Sequence, residues 1–168
     1  MEKYRQEKKL CEIAQPENEF TVERMISMLE ERDLISPIDK ECDKFAIKKG
    51  DIVIDYGCGS GGYTKRVSEL IGDKGKVYAV DIHELAIEAV KKKITQYQLK
   101  NVEPILVKDI EQIKDNVADI IIAIDMFHMV KDTEPFLREL HRLLKNNGYL
   151  FIDMHHMTPD DARGKILG

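Results

Sequence analysis

Apolar positions along the chain follow two alternating patterns. Short β-branched runs, such as DIVID at 51–55 and KVYAVD at 76–81, predict strands that are buried on both faces. Between such runs, apolar residues recur every three or four positions, which predicts amphipathic helices. One of these helices follows Gly62 and ends at Gly72. The other predicted strands cover 102–107, 118–125 and 149–154, and the other predicted helices cover 21–34, 84–99 and 133–148.

The alternation of strands and helices predicts a doubly wound α/β domain with a mainly parallel sheet of five strands. We assign this domain to residues 48–168, and an N-terminal helical segment to residues 1–47. Thr21 is the expected N-cap of the helix in that segment, and Gly148 is expected to follow the last long helix. In such sheets ligands bind beyond the carboxyl ends of the strands, so the functional residues are expected there.

Composition narrows the function classes. The 168 residues carry a net charge of -5, which argues against a protein built mainly to grip a nucleic-acid backbone. We expect no membrane span and no signal peptide, because the apolar runs are short and the N-terminus MEKYRQEKKL is charged. That charged stretch is expected to be a solvated face or a lid. The three cysteines are widely spaced, which indicates a reducing, cytoplasmic location rather than a disulfide framework.

A glycine-rich loop follows the first predicted strand, in the stretch VIDYGCGSGG at 53–62. Glycine allows tight turns and lets a ligand approach the main-chain N–H groups. Asp81 ends the second strand 24 positions after Gly57, near the ~20 expected when a carboxylate binds a ribose diol. Asp109 and Asp125 follow the third and fourth strands, although an aspartate there can also serve only as a cap.

The residue ahead of the loop favours one class of nucleotide ligand over another. Glycines 57, 59 and 62 satisfy G-x-G-x-x-G, so a dinucleotide and an NAD-dependent oxidoreductase are formal alternatives. Asp55, however, would repel a pyrophosphate, whereas it would attract a ligand that carries an ammonium group. S-adenosylmethionine combines a ribose diol with an amino group and a sulfonium, so this cofactor fits the acidic surroundings of the loop.

Three motifs carry a resemblance to a known family. VIDYGCGSGG resembles motif I of the class I S-adenosylmethionine-dependent methyltransferases, and KVYAVDIHELAIEAVKKK resembles their second motif. DIIIAIDMFHMVKDTEPFLRELHRLLKNNGYLFI is similar to the fourth and fifth strands of their small-molecule branch, the ubiquinone/menaquinone-biosynthesis type. The resemblance covers about residues 45–155. It implies a Rossmann-like fold, S-adenosyl-L-methionine as cofactor and a small molecule as methyl acceptor.

The resemblance also implies roles for individual residues. Asp55 would hold the cofactor amino group through water, Asp81 the ribose hydroxyls and Asp109 the adenine amine. Ile82 and Ile110 would lie beside the adenine, and Asp125 would face the methionine end. Cys58 is expected to be a small loop residue rather than a nucleophile. The full cofactor-binding set is Asp55, Tyr56, Gly57, Cys58, Gly59, Gly61, Tyr63, Thr64, Asp81, Ile82, Asp109, Ile110 and Asp125.

A proton acceptor is needed only if the methyl acceptor is a hydroxyl or an ammonium group. His128 is best placed for this role, although it can equally pack in its loop. We expect no metal site in DMHHM at 153–157, because on a strand only Asp153 and His155 would share a face. Enzymes that methylate amino groups of DNA bases carry an Asn/Asp-Pro-Pro-Tyr type motif after the fourth strand, and DMFHMV departs from it, which disfavours that class of substrate. The acidic balance disfavours an RNA substrate.

The sheet of the family usually has seven strands, whereas only a short segment that ends in TPDDARGKILG follows the predicted fifth strand here. A fifth strand left at the sheet edge would expose an apolar edge, which proteins usually cover. We therefore expect a homodimer or another assembly on that side. The same departure leaves a non-catalytic cofactor-binding or regulatory subunit open as an alternative to a methyltransferase.

Overall fold

The computed structural model describes residues 19–153 and 156–167. Its strands are β1 (Ile52–Tyr56), β2 (Lys76–Asp81), β3 (Val102–Leu106), β4 (Ala118–Ala123) and β5 (Leu144–Ile152). Its helices are α1 (Glu19–Ile35), α2 (Ile38–Cys42), α3 (Gly62–Ile71), α4 (Glu84–Tyr97), α5 (Thr133–Leu143) and α6 (Pro159–Leu167). Short 3-10 helices cover Asp43–Phe45, Val107–Gln112 and Phe127–Met129.

The five strands form one sheet in the order β3-β2-β1-β4-β5, and all four strand pairs are parallel. The chain runs outward from β1 to β3, then returns to place β4 on the other side of β1. This confirms the predicted doubly wound, Rossmann-like sheet. The point where the strand order reverses lies between β1 and β4, beside the glycine loop.

Hydrophobic side chains cover both faces of the sheet. On one face Ile54 packs with Phe136 and Leu140 of α5, and on the other Val53 packs with Val67 and Ile71 of α3. Neighbouring residues of β1 thus enter different cores, as the two-residue period of a strand requires. Burial on both faces explains why the strands appear in the sequence as continuous apolar runs.

Helix α1 packs on the outer side of α4. Its Val22 and Ile26 form a small buried cluster with Ala86 and Ala89. The alanines let the two helices approach closely, and this contact places the C-terminal turns of α1 next to the glycine loop. The predicted helix at 21–34 is therefore present, but it already includes Glu19 and Phe20, so Thr21 is not its N-cap and that prediction is wrong.

The predicted boundary between the last long helix and the fifth strand is also wrong. Helix α5 ends at Leu143, and β5 begins at Leu144, so Gly148 lies within the strand. Leu144 pairs with Ala118, and a register shift follows before Tyr149 pairs with Ile120. Gly148 lies close to Leu144 and to the Ala118 carbonyl, where a Cβ would clash. Pairing with β4 overrides the helical pattern of 144–148.

Strand β4 is two residues shorter than predicted. It ends at Ala123, because Asp125 adopts a left-handed conformation with φ 56° that cannot continue a strand. Residues 1–10, Cys11 and His155 lie outside the described residues, as do the lid interpretation of 1–10 and the strand-face argument about His155. In the described ranges, every helix is too short or too polar to cross a bilayer.

Candidate functional site

Two carboxylates end neighbouring strands at the carboxyl edge of the sheet. Asp55 lies in β1 and is 3% exposed, and Asp81 ends β2 and is 6% exposed. Strands β1 and β2 are paired, so these two buried acids flank the same loop. Burying a carboxylate is costly unless other groups hold it, which makes their partners informative.

The glycine loop between β1 and α3 adopts a backbone conformation that favours glycine. Gly57, Gly59 and Gly61 all have positive φ, at 80°, 51° and 81°. The N–H groups of Gly57 and Cys58 both donate to the Val80 carbonyl, at 2.7 and 3.0 Å. A Cβ at Gly57 would lie 2.9 Å from the Met126 Cγ, so both conformation and space require glycine there.

Asp81 holds this loop in place. Its Oδ2 accepts a hydrogen bond from the Gly59 N–H at 3.0 Å, and its Oδ1 accepts one from the His83 N–H at 2.9 Å. Burial raises the pKa of Asp81, and the two amide donors oppose that rise. Each carboxylate oxygen has a second lone pair, so Asp81 retains capacity to accept from a ribose diol.

Asp55 has one side-chain donor and acidic neighbours. Its Oδ2 accepts a hydrogen bond from the Thr64 hydroxyl at 2.5 Å. Burial raises the pKa of Asp55 from 3.8 to about 7, against the Thr64 hydrogen bond, and the charges of Asp81 and Asp33 raise it further. A cation placed beside Asp55 would relieve this desolvation and repulsion.

Two predicted site residues turn their side chains into the core. Tyr56 is 1% exposed, and its ring packs edge-on against Phe136 with centroids 5.3 Å apart. Cys58 packs with Ala79 and Val90, and burial raises the pKa of its thiol well above the usual value. The thiol therefore stays protonated near neutral pH, which agrees with a small loop residue. Both residues could reach a ligand only through their backbone.

The residues expected beside an adenine lie at the ends of β2 and β3. Ile82 is half-buried and packs against the main core. Asp109 is half-buried inside the 3-10 helix Val107–Gln112, and Ile110 is 1% exposed. The side chain of Ile110 thus belongs to the core, whereas Asp109 and Ile82 retain exposed surface.

Asp125 joins three separate parts of the chain. Its Oδ2 accepts a hydrogen bond from the Arg32 guanidinium of α1 at 2.9 Å. Its Oδ1 lies 3.0 Å from the His156 Nε2. The His156 ring lies edge-on to that of His128, with centroids 4.7 Å apart. The structure therefore brings the predicted Asp125 and His128 into one polar group with two residues that sequence reasoning had not assigned to the site.

His128 is exposed on the loop after β4. Partial burial and the neighbouring His156 lower the pKa of its imidazole below 6.5. The Lys165 ammonium of α6 donates to the carbonyls of Phe127 and His128, at 2.9 and 3.2 Å, and fixes the backbone of this loop. A neutral imidazole on a fixed loop can accept a proton.

The C-terminal turns of α1 lie directly on the glycine loop. The Ser60 hydroxyl donates to Asp33 Oδ2 at 2.5 Å, and a Cβ at Gly59 would lie 2.8 Å from the Leu29 Cδ1. Gly62 faces the Asp33 carboxylate so closely that any side chain would clash with it. Leu29, Arg32 and Asp33 therefore belong to the site.

Sequence reasoning missed these three residues because their partners are distant in the chain. Arg32 and Asp125, for example, are separated by 93 positions. Within the helical pattern of 21–34, Arg32 and Asp33 look like ordinary polar positions near a helix end. The only local signal is that α1 precedes the domain with an apolar stripe that needs a partner.

Tyr63 and Thr64 open α3 and are both buried. Thr64 faces Asp55, as described above, whereas the Tyr63 hydroxyl donates to the Glu41 carboxylate of α2. Burial and this hydrogen bond raise the pKa of Tyr63 above its usual range. In the described part of the chain, no three His, Cys, Asp or Glu side chains are arranged to hold a metal ion.

Comparison with known families gives one match that covers most of the chain. The profile of a family described as a methyltransferase domain matches residues 47–163. The matched range starts before β1 and includes the glycine loop, all five strands and most of α6.

Individual relatives point the same way. The chain is 39% identical over 77 residues to a probable cobalt-precorrin-6B C(15)-methyltransferase of Saccharolobus solfataricus, covering 42% of this chain and 39% of that protein. It is 32% identical over 105 residues to a demethylmenaquinone methyltransferase of Listeria monocytogenes, covering 62% and 44%. The chain thus spans less than half the length of these two curated relatives.

A crystal structure of a SAM-dependent methyltransferase from Aquifex aeolicus is also similar. The two chains superpose with a TM-score of 0.67 at 32% identity, covering 80% of this chain and 76% of the other.

Proposed function

The chain belongs to the methyltransferase-domain family, and from this membership we propose that it transfers a methyl group from S-adenosyl-L-methionine to a small-molecule acceptor. One observation carries the proposal: two buried carboxylates, Asp55 and Asp81, flank a glycine loop that has left-handed backbone at three positions. This arrangement suits a ligand that presents a diol and a cation, as this cofactor does.

The chemistry resides in the sulfonium of the cofactor, whose methyl carbon is open to in-line attack. The bound cofactor would supply this methyl group, the acceptor would supply the electron pair of the new bond, and sulfur would keep the pair of the C–S bond. The protein then has to bind the cofactor and the acceptor, orient them for the reaction and exclude water from the site. Asp81 would accept from the ribose hydroxyls, and Asp55 would hold the amino group through water.

The acidic surroundings disfavour the NAD alternative. Asp33 contacts Ser60 inside the loop, and Asp55 lies at its start. A pyrophosphate placed there would meet these carboxylates at short range, and the repulsion between them would weaken its binding. The same charges favour a cationic ligand.

His128 is our proposed proton acceptor for acceptors that must lose a proton. Its lowered pKa keeps the imidazole neutral near pH 7, and it lies on the loop that begins at Asp125. Asp125 itself is proposed to face the methionine end of the cofactor. Its left-handed backbone and its contacts to Arg32 and His156 support a fixed position.

We further propose that the N-terminal segment acts as a lid. This rests on α1, whose Leu29 and Asp33 lie against the glycine loop and whose Arg32 reaches the far side of the site at Asp125. A ligand that enters the loop has to share this space with α1, so the helix must adjust when the ligand binds.

We also propose a cytoplasmic location and self-association of the chain. Free, buried thiols at Cys42 and Cys58 support a cytoplasmic location. The exposed Tyr149 and Leu150 on edge strand β5 support self-association on that side. The net charge of -5 supports a small-molecule acceptor over nucleic acid.

The test is turnover of the methyl donor. The purified protein is incubated with S-adenosylmethionine and a panel of small amines, phenols and thiols, and S-adenosylhomocysteine is measured. Acceptor-dependent product supports the proposal, and the Asp81→Asn variant should reduce it. Tight cofactor binding without turnover on any acceptor would instead favour the non-catalytic subunit.

A further inference from the structure

A cavity of about 510 Å³ opens beyond the carboxyl ends of β4 and β5, on the side of α2. Its volume lies in the range of small-molecule sites. None of the cofactor roles above uses it. Its walls and rim indicate which class of ligand it would accept.

The walls are apolar. Phe45 and Phe151 face each other with ring centroids 5.2 Å apart and planes inclined by 50°. Ile124 and Ile152 complete this surface from the ends of β4 and β5. Such walls bind an apolar body, and aromatic rings in particular can stack or pack edge-on against the two phenylalanines.

The rim is charged and carries more acid than base. Glu41, Asp153 and Lys44 contribute two carboxylates and one ammonium. The Tyr63 hydroxyl donates to Oε2 of Glu41 and so orients this carboxylate. The Asp153 backbone is fixed to β4, because its N–H donates to the Ala123 carbonyl at 3.2 Å. The exposed Lys44 extends from a 3-10 helix and leaves the rim with net negative charge.

The cavity borders the proposed cofactor site through two neighbouring residues, one in contact with its rim and one next to its wall in the chain. Tyr63, which touches Glu41 at the rim, lies in the first turn of α3, directly after the glycine loop. Ile124 in the wall precedes Asp125, and the next residue, Met126, packs on Gly57. A molecule in the cavity would therefore lie next to the methionine end of a cofactor held by the loop.

We propose that this cavity binds the methyl acceptor and that the acceptor is a small apolar or aromatic molecule that carries an amine. The acceptor role rests on the proposed function. The carboxylates of the rim attract the ammonium form while the apolar walls hold the body. After the ammonium loses a proton, for which His128 is the proposed acceptor, the nitrogen lone pair forms the N–C bond, and the C–S bond breaks with its electron pair on sulfur.

The test uses two probes that share a phenylethyl body and carry opposite charges. 2-Phenylethylamine and 3-phenylpropionate are titrated calorimetrically into the protein saturated with S-adenosylhomocysteine. We expect the amine to bind and the carboxylate to bind at least about tenfold more weakly, as expected when a charge-assisted contact is replaced by repulsion.

Variants locate the binding site and test its charge. Glu41→Gln combined with Asp153→Asn should weaken the amine about tenfold or more, because both changes keep the shape and remove the charge. Lys44→Met should change affinity in the opposite direction, with tighter amine binding. Asp43→Asn is the matched control, since Asp43 is exposed in the same segment and does not line the cavity. It should bind the amine like the wild type.

Separate titration of S-adenosylhomocysteine distinguishes the two proposals and checks that each variant is folded. If cofactor binding is normal, any of three results would overturn the cavity proposal and leave the proposed function intact. The amine does not bind, the carboxylate binds more tightly than the amine, or the double variant binds the amine with the same affinity as the wild type. Amine binding that the double variant loses, in a protein that does not bind the cofactor, would support an amine site and overturn the proposed function.

Discussion

Asp81 is the residue on which both the structure and the proposed chemistry of the site depend. The sequence predicted its position at the end of the second strand and its role toward a ribose. It did not reveal that the carboxylate already accepts the Gly59 and His83 amides. Asp81→Ala would leave these buried donors without a partner, at a cost of about 1–3 kcal/mol each. Asp81→Asn keeps an acceptor and is the better probe of ligand binding.

The raised pKa of Asp55 predicts a pH-dependent affinity for the cofactor. Its folded pKa of about 7 lies above the ordinary 3.8, so the side chain becomes protonated as the pH falls through 7. A cationic ligand needs the ionised form. The dissociation constant of S-adenosylmethionine should therefore be constant above about pH 8 and rise toward tenfold per pH unit below 7.

Calorimetry between pH 6 and 8.5 measures this dependence, and Asp55→Asn should remove it. The same shift means that the free protein loses stability as the pH rises from about 4 to about 7, because the unfolded chain ionises first. An affinity for the cofactor that is independent of pH in the wild type would contradict the role of Asp55.

His128 provides a kinetic prediction. If it accepts the proton of an amine or hydroxyl acceptor, His128→Gln should lower kcat by about 10²–10⁴-fold and leave cofactor affinity unchanged. Because its pKa lies below 6.5, the acid limb of the wild-type pH profile attributable to this group should also lie below that value. His141→Gln on the exposed face of α5 is the control. An unchanged kcat would assign His128 to loop packing.

Local pattern identified the residues that follow strands, and it failed for those that depend on tertiary contact. Four aspartates lie at or just beyond the strand ends: Asp55, Asp81, Asp109 and Asp125. Because the strands are parallel, their carboxyl ends lie at one edge of the sheet. Tyr56 and Ile110 follow the same rule, yet their side chains point into the core. A strand end predicts where a residue lies along the sheet. It does not predict the direction of the side chain, which depends on packing.

At the scale of elements, the contact between α1 and the glycine loop is the least expected feature. The helix itself was predictable from its apolar period, but its position depends on Val22 and Ile26 packing against two alanines of α4. That contact brings Leu29 onto Gly59. Gly59 thus allows both the positive φ of the loop and the close approach of α1.

A double-mutant cycle tests this contact. Gly59→Ala should destabilise the protein by the left-handed strain of about 1–2 kcal/mol and by a clash with Leu29. Leu29→Ala makes room, so the double variant should be more stable than the sum of the single effects by about 1 kcal/mol. Denaturant unfolding measures all four proteins.

Gly50 is the matched control for the cycle. Its φ is 90°, and nothing lies within 4 Å of a Cβ built there. Gly50→Ala should therefore show strain alone and no coupling to Leu29→Ala. Additive effects at Gly59 as well would mean that α1 does not rest on the loop in solution.

Element boundaries were less predictable than element order. The pattern LLKNNG at 143–148 looks helical, yet all but its first residue belongs to β5, because Leu144 pairs with Ala118 and Gly148 packs closely beside it. Sequence period reports which face is apolar. It cannot report when pairing with a distant strand is more favourable than another turn of helix.

At the scale of the whole molecule, the sheet ends at β5. In residues 19–153 and 156–167, β5 pairs only with β4, and it leaves Tyr149 61% and Leu150 37% exposed. This edge strand ends in four consecutive apolar residues, YLFI at 149–152, and such an edge is a site where chains associate. We therefore expect a second copy of the chain to cover this side.

Light scattering across a concentration series tests the assembly. The wild type should approach the mass of a dimer, and Tyr149→Glu should shift it toward the monomer, since burying the new charge would oppose association. Tyr97→Glu, a substitution of an exposed aromatic residue on α4, should not. A wild type that stays monomeric at the highest concentration would rule out self-association through β5.

The central claim, that the two carboxylates and the glycine loop bind S-adenosylmethionine, has one direct test. Calorimetric titration with S-adenosylmethionine and S-adenosylhomocysteine should give micromolar binding, about -8 kcal/mol, in the wild type. Asp81→Asn should weaken it at least tenfold, and Asp73→Asn, exposed at the opposite end of the sheet, should not. NAD should not bind. Binding of NAD in place of both sulfur cofactors would contradict the account, as would sulfur-cofactor binding that Asp81→Asn leaves unchanged.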